Sequence, residues 1–135
     1  MIILDENLLG LRLDMPIARW YAGRVCYLTD LRPGTVMKDE AIPQLLRQYK
    51  GTTVVTTNVP DFWQRILAHA RYSIVCLSLP NERLHQLPEL LRHLFRVREF
   101  RTRAGRMGKV IRATRAQLQY YTIGDNRIHC LPWLD

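Results

Sequence analysis

The chain has 135 residues, 47% of them hydrophobic and 24% charged, with a formal net charge of +8. That is one domain's worth of sequence with enough apolar content for a single core, and it excludes a disordered chain. No apolar run approaches the length of a membrane span, so no membrane association is expected.

Taken in order, Ile2 to Leu4 is an apolar run that stops abruptly at Asp5, Glu6 and Asn7, as a buried strand does on reaching a sheet edge. Asp14, Pro16 and the run to Gly23 predict a capped helix. Val25 to Leu28 reads as a second strand and TDLRPG as a turn. Lys38, Asp39 and Glu40 open a helix that Gly51 closes, with Pro43 harmless near its start. Thr53 to Thr56 is β-branched throughout and predicts a third strand. Asp61 then begins a helix through DFWQRILAHAR, with Phe62, Ile66 and Leu67 at helical spacing. Ser73 to Leu79 predicts a fourth strand, and Asn81 caps a long helix to about Arg96, bent near Pro88.

Strands alternating with helices at this interval predict an α/β fold, an open parallel sheet with helices on both faces. Beyond Gly105 and Gly108 the segments KVIRATR, LQYYTI and RIHCL are β-rich, and GDN between the last two predicts a turn. They are expected to form a small antiparallel appendage or edge hairpin. The organisation is therefore read as residues 1–97, an α/β domain, and residues 98–135, a basic linker and β hairpin packed on it.

Charge and cysteine usage narrow the function. Seventeen of the twenty basic residues are arginine, and residues 90 to 115 hold nine bases against Glu99 alone. Arg98, Arg101, Arg103, Arg106, Lys109, Arg112 and Arg115 are thus candidates for gripping a polyanion, since the guanidinium fork matches phosphate and carboxylate oxygens. Tyr120 and Tyr121 could stack bases, but packing is the more ordinary role for aromatics in a β segment. Cys26, Cys76 and Cys130 are odd in number and have no CxxC spacing, and the four histidines have no metal-binding spacing. The opening MIILDENLL has no basic stretch, so a cleaved signal peptide is not expected and a cytoplasmic location is.

In an open α/β sheet, ligands bind beyond the carboxyl ends of the strands. Asp5, the Asp39/Glu40 pair and Asp61 come from three distant segments and are all placed at that rim. Each acid alone has an ordinary explanation as a cap, a first-turn residue or an exposed strand end. Facing one another, they would repel unless a hard cation such as Mg2+ or Mn2+ lay between them.

Over Ile2 to Leu79 the chain resembles the PIN-like nucleases, particularly the short single-domain kind that serve as toxins of toxin-antitoxin pairs. The resemblance lies in ILDENL, in KDEAI and in VVTTNVPDF. It implies a metal-dependent endoribonuclease in which Asp5, Glu40 or Asp39, and Asp61 hold Mg2+ or Mn2+. Asn7, Thr57 and Asn58 would support the site, RNA would be the substrate and an acidic antitoxin protein a partner. A homodimer is left open. Relatives commonly carry a further acid two residues before the aspartate of the DF pair, where this chain has Val59. That departure points to the alternative of a catalytically weakened module that binds nucleic acid or a regulatory protein without turnover.

Overall fold

The computed structural model describes residues 1–31 and 41–133. Four parallel strands are laid down first: β1 (Ile2–Leu4), β2 (Val25–Tyr27), β3 (Thr52–Thr56) and β4 (Tyr72–Leu77). Every residue of β1, β3 and β4 is buried, which requires cover on both faces of the sheet and explains their unbroken apolar and β-branched sequences. On one face α1 (Asp14–Ala18) and α5 (Leu87–Leu94) bring Ile17, Leu87, Leu91 and Leu94 against Ile2, Leu4, Val55 and Val75. On the other, α3 (Ile42–Leu46) and α4 (Val59–Phe62) bring Ile42, Leu45, Leu46 and Phe62 against Ile3, Val54, Ile74 and Cys76. A short helix, α2 (Leu28–Leu31), follows β2 where only a turn was predicted.

The sheet has seven strands in the order β2-β1-β3-β4-β5-β6-β7. β5 (Lys109–Ala113) pairs parallel to β4; β6 (Leu118–Thr122) then runs antiparallel to β5, and β7 (Asp125–Leu131) antiparallel to β6. The C-terminal third is added to the sheet as expected, but through the parallel β5 before the antiparallel hairpin: the sheet passes residue 97 without a break, and Phe100, Ile111, Ala113 and Leu118 share a core cluster with Ile2 and Leu4. A further short helix, α6 (Arg103–Arg106), leads into β5.

Four predicted helices are shorter than their spacing suggested, among them α3, which ends at Leu46 well before Gly51. α1 ends at Ala18 instead of Gly23. α4 stops at Phe62, because Trp63 is extended and Gln64 takes a left-handed φ of 61°; Ile66 still reaches the core, whereas Leu67 is 78% exposed. Asn81 caps no α-helix: Asn81–Gln86 is a 3-10 segment, and Pro88 sits in the first turn of α5, where it has no amide bond to lose. Among the described residues no helix is long and apolar enough to cross a membrane.

Candidate functional site

The chain moves from β1 outward to β2 and then crosses back to β3 on the other side of β1, so the connections diverge between β1 and β3. A crevice at the carboxyl end of such a divergence is where open α/β sheets place ligands. Asp5 follows β1 there, and Thr57, Asn58 and Asp61 follow β3.

Asp5 is only 6% exposed. Its backbone amide donates to the Val55 carbonyl at 3.0 Å, extending the β1–β3 ladder and fixing the carboxylate at the rim. Oδ1 accepts the Glu6 amide at 2.8 Å and Oδ2 accepts the Thr56 hydroxyl at 2.7 Å. Burial raises its pKa above the usual carboxylate range, while the Thr56 and Glu6 hydrogen bonds oppose the shift and the nearby negative charges of Glu6 and Asp61 add to it.

The Thr56 hydroxyl in turn accepts the Asn58 amide at 3.0 Å, and the Asn58 side chain donates to Asp61 Oδ2 at 2.7 Å. A continuous hydrogen-bonded path therefore joins the two carboxylates, Asp5–Thr56–Asn58–Asp61, with Asp5 buried and Asp61 exposed. Asn7 donates to the Thr57 hydroxyl at 2.8 Å and ties the loop after β1 to the loop after β3. Asp5, Asp61, Asn7, Thr57 and Asn58 are thus brought together; Asp39 and Glu40 lie outside the described residues. Asp61 is not a cap but the third residue of α4, and Asn58 at the cap position uses its side chain on Asp61 instead.

Among the described residues, no group of three or more His, Cys, Asp and Glu is placed to hold a metal ion. The two carboxylates that are described suit a hard cation in donor type. Each Asp5 oxygen accepts one hydrogen bond and keeps a further acceptor site, and Asp61 is open on its exposed side. Two residues before Asp61, Val59 packs against the core cluster under α4.

The basic residues are not gathered at this rim. Asp61 borders a cleft of about 600 Å³ whose walls include Gln44, Arg47, Arg65 and Tyr72. Arg47 and Arg65 are therefore the cations beside the acids. They escaped the sequence reading because the packing that sets α3 beside α4 leaves no local signal, and Thr56 escaped because a hydroxyl ending a strand reads only as β propensity.

Three of the residues assigned to gripping a polyanion are occupied internally. Arg106 is 5% exposed, donates through Nη1 to the carbonyls of Phe100 and Arg101, and lies 4.0 Å over the Phe95 ring. Lys109 donates to the Glu99 carbonyl at 3.2 Å, and Arg112 is half-buried beside Gln119. Arg98, Arg101, Arg103 and Arg115 are exposed. Tyr120 stacks on His129, and the buried Tyr121 donates to the Ile66 carbonyl; both are packing residues. Comparison with protein-family models, with curated proteins and with solved structures returns no match.

Proposed function

We propose that the chain is a divalent-metal-dependent ribonuclease of PIN-like type, with the rim between β1 and β3 as its active site. The observation that carries this reading is the buried Asp5 carboxylate, linked through Thr56 and Asn58 to Asp61 at the divergence of the sheet. A fold gains nothing in stability from keeping an acid desolvated at such a place, and perturbed carboxylates in clefts are frequent in catalytic sites.

Asp5 and Asp61, with Asp39 or Glu40, would hold Mg2+ or Mn2+, which when bound supplies charge stabilisation for in-line attack on a phosphodiester. The chain's own part is positional. Thr56 and the Glu6 amide fix the Asp5 oxygens, Asn58 fixes one oxygen of Asp61, and the Asn7–Thr57 bond holds the two loops together. Arg47 and Arg65 stand where phosphates flanking the cut would lie, in the cleft that Asp61 borders. The resemblance adds the role of a toxin opposed by an acidic antitoxin.

The packed Val59 favours a second reading, a module that binds nucleic acid or a regulatory protein without cleaving it. RNA cleavage by the wild type, Asp5→Asn and Asp61→Asn in Mg2+, Mn2+ and EDTA decides between them. The ribonuclease predicts cleavage that EDTA abolishes and that each substitution lowers by about 100-fold or more. RNA binding with no cleavage under any condition leaves only the module.

A further inference from the structure

Five arginines remote from the Asp5 rim converge elsewhere. Arg92, Arg96, Arg101, Arg103 and Arg106 line a second cavity of about 640 Å³, with Trp20, Tyr21 and Phe95 as its aromatic wall. Tyr21 precedes β2, Arg103 lies against Gly51 just before β3, and α6 precedes β5, so the cavity sits at the amino edge of the sheet. The acid rim is at the opposite end of the five-residue β3, about 17 Å away at the usual rise per residue.

Two features separate this cavity from an ordinary solvated arginine patch. None of its five arginines forms an ion pair with an acid among the described residues, where the ion pairs centre on Asp125. The Arg106 side chain, although nineteen-twentieths buried, leaves its Nε without a partner, and the Trp20 Nε1 is likewise buried and unbonded. Burying a guanidinium and surrounding it with like charge is unfavourable unless an anion compensates. The rings are already ordered: Trp20 meets Phe95 edge-on at 5.7 Å, and Gly23 leaves room for the Tyr21 ring, which a Cβ would approach to 2.7 Å.

We infer that this cavity is a phosphate-binding site for single-stranded RNA, remote from the acid rim. Aromatic edges interleaved with arginine forks match a sugar-phosphate chain with bases free to stack. An acidic helical peptide would instead need a row of aliphatic anchors, which the wall lacks. The choice of RNA as the polymer rests on the ribonuclease reading; the cavity's preference for anions does not.

Binding of a fluorescein-labelled single-stranded RNA of about ten nucleotides, measured by anisotropy in EDTA so that cleavage plays no part, tests the site. Arg96→Ala combined with Arg101→Ala should weaken binding at least about tenfold and reduce the slope of log affinity against log salt by about 1.4, the loss of two phosphate contacts. Arg83→Ala combined with Arg127→Ala removes the same charge elsewhere and should have little effect. Equal loss in both double variants, or none in the first, overturns the proposal. Tighter binding of poly-glutamate than of the RNA, sensitive to Arg96 and Arg101, also overturns it in favour of an acidic protein. Trp20 emission, taken as wild type minus Trp20→Phe, gives a readout with the arginines intact: quenching by the RNA supports the site and unchanged emission refutes it. Cleavage that fails in Mn2+ while this binding persists would sink the ribonuclease and leave the cavity standing.

Discussion

Asp5 is held by the fold at a cost in stability. Its folded pKa lies above the unfolded value because burial disfavours the anion, so the native state binds the proton more tightly. The stability that a protonated Asp5 contributes is therefore full below the unfolded value and lost as pH rises through the ordinary carboxylate range toward the raised folded one. Asp5→Asn should raise the melting temperature at neutral pH, with a gain that shrinks on acidification, while abolishing metal-dependent cleavage. Thermal melts across pH 4 to about 8 would show it, and a variant that melts lower than wild type at neutral pH contradicts the desolvated anion. Thr56→Val removes the hydroxyl that serves both Asp5 and the Asn58 amide, and should cost about 1–3 kcal/mol in urea unfolding.

β1, β3 and β4 were legible to within one or two residues because burial on both faces forces a continuous apolar or β-branched run, and β2, buried only at Cys26, was legible to within one. Asp5 was legible for the same reason, since an acid directly after such a run has to stand at a sheet end, whereas Asp61, five residues beyond β3, was legible only through the short loop joining that strand to the next helix. Helix lengths were not, because Phe62, Ile66 and Leu67 fit helical spacing whether or not the backbone continues, and a left-handed Gln64 carries no sequence mark. The direction of β5 was hidden as well: a short β-rich run with Val110, Ile111 and Ala113 buried fits a parallel or an antiparallel pair alike. At the start of α4, Val59 is the residue that divides the two proposed readings. Val59→Asp should cost about 1 kcal/mol of packing yet increase Mn2+ affinity by about tenfold, because a further carboxylate would join Asp5 and Asp61. Isothermal titration would report it, and unchanged affinity would mean that this position does not face the acids.

Across the molecule, five arginines line a cavity at the amino edge of the sheet while Asp5 and Asp61 stand at its carboxyl edge, where Arg47 and Arg65 share a cleft with Asp61. The sheet that separates them is continuous, and this makes residues 98–135 part of the folding unit. β5 covers the side of β4 that faces away from β3, Phe100, Ile111 and Leu118 are fully buried in the cluster that also seats α1 and α5, and the Tyr121 hydroxyl closes over the carbonyl of Ile66. Removing that segment would uncover a six-residue strand with no polar face and an unpaired row of backbone groups. It would also take away Arg101, Arg103 and Arg106 of the arginine cavity while leaving Asp5, Asp61 and the Asp39/Glu40 pair in the sequence. A chain ending at Val97 should therefore fail to fold, giving no cooperative thermal transition by circular dichroism and no Mn2+ stabilisation, although Asp5 and Asp61 are retained. A truncated chain that melts cooperatively and is stabilised by Mn2+ would show instead that the first four strands form the nuclease alone and that the arginine-rich third was added to a fold already complete.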